Sequence, residues 1–152
     1  MKDGAPKLTV DASDLAVTIV VTSWHKEITE ALLAGAERAL QAAGNEVYSI
    51  VRVPGAFELP LAAKWAADDG AEAIIALGVV IRGGTPHFEY VCDAATSGLT
   101  RLALDTEVPI GFGLLTVDTE AQALDRAGLP GSSEDKGAEA VEAAVSMALL
   151  RR

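Results

Sequence analysis

Four apolar segments rich in β-branched residues, 16–22, 47–53, 73–81 and 108–115, recur about every 30 residues along the chain. Each is apolar nearly throughout, the pattern of a strand covered on both faces. Between them, 27–43, 58–68 and 87–105 carry helical patterns of suitable length. This is the alternation of βαβ units with right-handed crossovers. It predicts a three-layer α/β/α sandwich on a four-stranded parallel sheet, flavodoxin-like, with ligands bound outside the carboxyl ends of the strands.

Two more helices are expected after the fourth strand. Thr119 to Gln122 reads as a capping box ahead of a short helix that stops at Gly128 and Pro130. Ser132 or Ser133, followed by Glu134 and Asp135, is expected to start the last helix. A chain of 152 residues suits one domain, 1–152, with 1–12 as a loose N-terminal tail. Half the residues are hydrophobic and 22% are charged, more apolar surface than one small domain usually hides, which points to subunit contacts. The apolar runs fall short of the roughly 20 residues of a membrane span, and no basic-then-apolar signal opens the chain, so a cytoplasmic protein is expected. Cys92 is the only cysteine, which excludes an intrachain disulfide and a cysteine-based zinc site. Twenty-two acids against twelve bases give a net charge of -10, which disfavours nucleic acid and anionic membranes as partners. An anionic small substrate must therefore be held by a local device.

The strand ends carry the chemistry. After the third strand, Gly83 and Gly84 permit close backbone approach, Thr85 suits an N-cap and Pro86 the first helical position. A helix start of this kind binds phosphate through free N–H groups and the helix dipole. His87 lies in its first turn, where an imidazole could transfer protons to a bound ligand. The same residues also make an ordinary strand-to-helix turn, and the pattern alone leaves both readings open. After the first strand, Trp24 could stack on a flat ring or simply pack, and His25 reads as surface or as support for the site. After the second, Glu58 follows Gly55, Ala56 and Phe57 and could accept hydrogen bonds from hydroxyls or serve the helix dipole. Read on their own, Phe112 is a core strand residue, Arg126 a dipole partner at a helix end, Lys136 a solvated helix residue and Cys92 a small buried hydrophobe.

"VPGAFELP" at 53–60, "ALGVVIRGGTPHFEYV" at 76–91 and "LLTVDTEAQALDRAG" at 114–128, in this order, resemble the lumazine synthases of bacterial riboflavin biosynthesis. The similarity runs from about Leu15 to the C-terminus. It implies condensation of 5-amino-6-(D-ribitylamino)uracil with 3,4-dihydroxy-2-butanone 4-phosphate to 6,7-dimethyl-8-ribityllumazine, phosphate and water, with no metal or organic cofactor. By this resemblance Trp24 stacks on the pyrimidine, where many members have Phe. Ala56, Phe57 and Glu58 hold the ribityl chain, and Val79, Val80 and Ile81 line the heterocycle. Gly84, Thr85 and Arg126 bind phosphate, and His87 transfers protons. Phe112 covers the ring from the neighbouring subunit, from which Arg126 also reaches, and Lys136 is a basic residue near the site. A homo-oligomer with sites at subunit interfaces is implied, and a riboflavin synthase is a further candidate partner. Icosahedral members carry a short turn resembling GTKAGNKG before the last helix. Here "GLPGSSEDKG" is longer and contains a proline, so a pentamer or a dimer of pentamers is expected over a closed shell.

Three other readings share parts of this pattern. A flavin or lumazine carrier would use the ring pocket but leave the phosphate residues and His87 without a role. An archaeal-type riboflavin synthase would dismutate lumazine, and "GVVIRGGTPHF" argues against it. An assembly protein that had lost its site would not need the site residues that are present.

Overall fold

A computed structural model describes residues 11–152. The strands β1 (Val17–Thr22), β2 (Ser49–Val53), β3 (Ala73–Ile81) and β4 (Ile110–Val117) alternate with the helices α1 (Lys26–Ala42), α2 (Leu59–Asp68) and α3 (His87–Thr106). A single 3₁₀ turn, Ala56–Glu58, leads into α2, and α4 (Glu120–Arg126) and α5 (Lys136–Leu150) complete the chain. All strand pairs are parallel, and their order across the sheet is β2-β1-β3-β4.

Side chains that alternate along a strand divide the core into two layers. On β1 and β3, Val17, Ile19, Val21, Ile75 and Leu77 face a cluster completed by Leu32, Leu40, Val141 and Val145 of α1 and α5. Val20, Ile74 and Ala76 face the opposite way, against Leu59 and Ala63 of α2 and Leu99 of α3. The sheet is thus covered on both faces, as the expected three-layer sandwich requires. The layers approach closely where side chains are missing. A Cβ on Gly137 of α5 would lie 2.1 Å from the Leu32 carbonyl oxygen of α1, and one on Gly111 of β4 2.2 Å from the Ala140 carbonyl oxygen. Gly137→Ala should therefore force α1 and α5 apart and cost at least about 1–3 kcal/mol, the usual range for overpacking. Thermal unfolding would check this, and an unchanged Tm would show that the crossing can relax.

Several boundaries differ from the sequence reading. The second strand begins at Ser49, and Val53 is its only buried residue, while Val47 is 90% exposed. Being apolar does not cover this strand, because it forms a sheet edge. The fourth strand runs 110–117, two residues later than expected at each end. The last helix is capped by Asp135, whose side chain accepts from the Ala138 N–H at 3.2 Å. Ser132 and Ser133 serve the preceding turn instead: the Ser132 hydroxyl donates to the Leu124 carbonyl and the Ser133 hydroxyl to Asp125. Gly128 and Gly131 take positive φ in that turn, at 75° and 89°. The capping box before α4 is formed as expected, with the Gln122 N–H donating to Thr119 Oγ1 at 3.2 Å. Most of the expected tail, residues 1–10, lies outside the described residues. Ala12, at the end of that segment, is buried rather than loose, and its N–H donates to the Ala43 carbonyl.

Candidate active site

The sheet order places β1 and β3 side by side while their connections leave in opposite directions, to β2 on one side and β4 on the other. A crevice opens at such a switch point, beyond the carboxyl ends of the strands. Here it holds a pocket of about 510 Å³ lined by Trp24, Gly55, Ala56, Phe57, Glu58, Val79, Val80, His87 and Val91.

Each wall has a local cause. The end of β1 is tied to the end of β2, because the Ser23 hydroxyl donates to the Val53 carbonyl at 2.8 Å and the Ser23 N–H to the Pro54 carbonyl. This sets the Trp24 indole against the backbone of Gly55, where a Cβ would meet Trp24 Cδ1 at 3.3 Å. His25 then turns the chain into α1 with left-handed backbone, φ 57°, an uncommon conformation for a residue with a side chain. Trp24 and Phe57 remain 68% and 65% exposed in this large apolar crevice. Glu58 closes the turn, accepting from the Gly55 N–H at 2.9 Å, a local bond beyond the helix-dipole role read from the sequence. A carboxylate has further acceptor sites for a ligand.

At the other wall, β3 ends at Ile81 and α3 begins at His87. Pro86 occupies the cap position, one residue later than expected, and Thr85 Oγ1 accepts from the His87 N–H at 3.4 Å. A Cβ on Gly83 or Gly84 would meet nothing within 4 Å, so this turn stands in open space. Ile81, Gly84 and Thr85 belong to the same chain passage but do not line the pocket itself.

Arg82, a residue the sequence reading passed over, holds this turn on both sides. Its Nε donates to Asp118 Oδ1 at 2.8 Å, its Nη1 donates to Glu89, and its guanidinium lies 4.4 Å from the centroid of the Phe88 ring. The hydrogen bond from Arg82 holds the Glu89 carboxyl below the usual carboxylate range. A lowered carboxylate pKa means that the pair persists as pH falls through the ordinary carboxylate range and opens only below it.

Three of the residues singled out in the sequence lie elsewhere. Phe112 is half exposed on the edge strand β4, in a separate apolar groove with Leu99, Ala103 and Leu104 of α3. Arg126, at the end of α4, donates to the Gln122 carbonyl at 2.9 Å and lies 3.6 Å from Glu134. Lys136 pairs with the same Glu134 at 3.0 Å and with Glu139 at 3.1 Å. Glu134 is only 7% exposed, and so the two cations share a buried carboxylate. Burial opposes the charge of Lys136, but the hydrogen bonds it donates to Glu134 and Glu139 outweigh it and raise its pKa. Lys136 is thus held by ion pairs and is not a solvated residue. Cys92 is half-buried one turn beyond His87, and burial pushes its thiol pKa up. Gly55, Val91, Arg82 and Glu134 were the contributors missed. Arg82 had one signal, a charge closing an apolar strand, whereas Glu134 looked like part of a solvated acidic helix start.

The arrangement combines flat aromatic and aliphatic walls, a glycine turn at a helix start and an imidazole at its rim. It suits a flat heterocycle beside an anionic group, with proton transfer between them. A family model described as 6,7-dimethyl-8-ribityllumazine synthase matches residues 14–152. The chain is 63% identical over 150 residues to a protein of that name from Kineococcus radiotolerans, an alignment covering 99% of this chain and 93% of the relative. It is also 63% identical to one from Clavibacter sepedonicus, over 97% and 93% of the two chains. A third, from Streptomyces avermitilis, is 55% identical over 98% and 93%.

Proposed function

The chain belongs to the 6,7-dimethyl-8-ribityllumazine synthase family and is a transferase of riboflavin biosynthesis, and from that premise we propose how its residues bind and convert the two substrates. The pyrimidine ring of 5-amino-6-(D-ribitylamino)uracil stacks on Trp24 against Val79 and Val80, while Ile81 ends the same strand outside the pocket lining. Its ribityl chain runs along Ala56, Phe57 and Glu58. The phosphate of 3,4-dihydroxy-2-butanone 4-phosphate docks on the Gly84–Thr85 turn at the start of α3, where N–H groups and the helix dipole offset the negative charge of the protein as a whole.

The pyrimidine amine then adds to the ketone carbonyl, and loss of water gives an imine. His87 moves the protons that let phosphate leave and the enol form, after which ring closure expels a second water. The observation that carries this reading is that Trp24, the 55–58 turn and His87 converge on one pocket from three strand ends.

Phe112 and Arg126 lie outside that pocket, and we assign them to the site of an adjacent protomer, with Lys136 keeping Glu134 paired beside Arg126. A homopentamer accounts for exposed Leu61, Trp65, Tyr90 and Leu104. No helix among the described residues is long and apolar enough to cross a membrane, which agrees with a cytoplasmic enzyme. A riboflavin synthase would consume the product and is the partner to look for.

Purified protein mixed with both substrates should accelerate lumazine formation, followed by absorbance, with stoichiometric phosphate release. Binding of lumazine or flavin without acceleration would favour a carrier. Gly84→Ala gives a finer test, because the added methyl meets no protein atom yet intrudes on the phosphate turn. Its stability should stay within about 0.5 kcal/mol of wild type, as for most surface changes. Losing one hydrogen bond to a charged group should raise the KM for the phosphate substrate about tenfold or more. An unchanged KM would move the phosphate away from Gly84.

A further inference from the structure

Arg82 stands between β3 and the Gly83–Gly84 turn, and its side chain is engaged on three sides. The partners belong to different elements: Asp118 follows β4, whereas Phe88 and Glu89 lie in the first turn of α3. The backbone supports the same junction, since the Arg82 N–H donates to the Val117 carbonyl at 2.8 Å. Asp118 is itself placed by α4, because its N–H donates to Gln122 Oε1 at 2.7 Å.

Stability does not explain this arrangement. The Arg82 side chain is 46% exposed, and ion pairs so open to solvent contribute little to folding. Position does explain it. Two consecutive glycines have more backbone freedom than any other pair, and the space beside them, where a Cβ would meet nothing within 4 Å, holds no side chain that packs on the turn. A catalytic imidazole must be held within a fraction of an ångström of its working geometry. A guanidinium presents a rigid planar fork and a face that stacks on a ring, so it can hold two carboxylates and an aromatic at once. A lysine cannot.

We infer that Arg82 is a positioning residue for the reaction: it fixes the start of α3 to the end of β4, and so sets the phosphate turn and His87 relative to the pocket. The inference rests on the proposed roles of that turn and of His87. It differs from a role as direct phosphate ligand, because both carboxylates already occupy the guanidinium, and the two ideas predict opposite responses when a carboxylate is removed.

The test is steady-state kinetics of wild type, Arg82→Gln, Arg82→Lys, Glu89→Gln and Asp118→Asn, each as the assembled full chain, with both substrates varied and Tm measured. Wild type must first form lumazine; if it does not, the proposed function fails and Arg82 is not at issue. With wild type active, Arg82→Gln should lower kcat about tenfold and raise the KM for the butanone phosphate about tenfold. The KM for the pyrimidine should change less than about twofold and Tm by no more than a few degrees. Arg82→Lys should recover only part of the loss. Glu89→Gln and Asp118→Asn should shift kcat and the phosphate KM in the same direction as Arg82→Gln, by less.

Wild-type kinetics in Arg82→Gln would overturn the inference. A lower phosphate KM in Glu89→Gln or Asp118→Asn would also do so, since freeing the guanidinium would then have improved binding directly. Equal increases in both KM values together with a large fall in Tm would reduce Arg82 to a structural role.

Discussion

His87→Ala should turn over about 10²–10⁴-fold more slowly than wild type, the span that general acid–base assistance typically supplies. It should not be inactive, because holding two substrates together in the pocket lowers the barrier by a separate and larger route. His87 is exposed at the rim of the pocket and fills no cavity, so folding and assembly should be unaffected. The loss should fall mainly on kcat, since the imidazole acts on proton transfer more than on binding. Single-turnover kinetics with both substrates saturating would check this. Turnover equal to wild type would remove His87 from the mechanism and leave its helix start as a binding device alone.

The second large effect concerns the distance between the two halves of the site. Within one protomer, His87 and Trp24 line the pocket, whereas Phe112 and Arg126 lie outside it. If neighbouring subunits complete each site, His87→Ala and Arg126→Ala damage opposite sides of an interface. Each variant alone should be strongly impaired at low butanone phosphate, through kcat in the first and through KM in the second. Unfolded together in equal amounts and refolded, they should regain about one-quarter of wild-type activity. That is the fraction of interfaces in a randomly mixed ring that receives both intact residues. Mixing the assembled variants without refolding should give no such recovery. Absence of recovery after co-refolding, with mixed particles shown to form, would place Arg126 in the same site as His87 of its own chain.

Much of this protein was legible in its residue pattern. The spacing of apolar segments determined the alternation of strands and helices, since burial on both faces demands nearly continuous apolar strands. Thr119 and Gln122 determined a helix start because their side chains satisfy backbone groups three residues away, a purely local matter. Gly83, Gly84, Thr85 and His87 could be read as a strand-to-helix turn for the same reason.

Tertiary structure decided the rest. Val47, Ile50 and Val51 look like core residues in sequence, yet they are exposed because β2 forms the edge of the sheet, and strand order depends on contacts distant along the chain. Glu134 is buried between Arg126 and Lys136, although an acid in a polar run ordinarily stays in water. Ser23, through its bonds to the next strand, places Trp24 on Gly55, and Arg82 reaches across to Asp118. Local spacing reports which faces of an element are apolar and where its ends lie. Which elements become neighbours, and therefore which side chains meet at a strand end, is settled only when the sheet is assembled and its layers close.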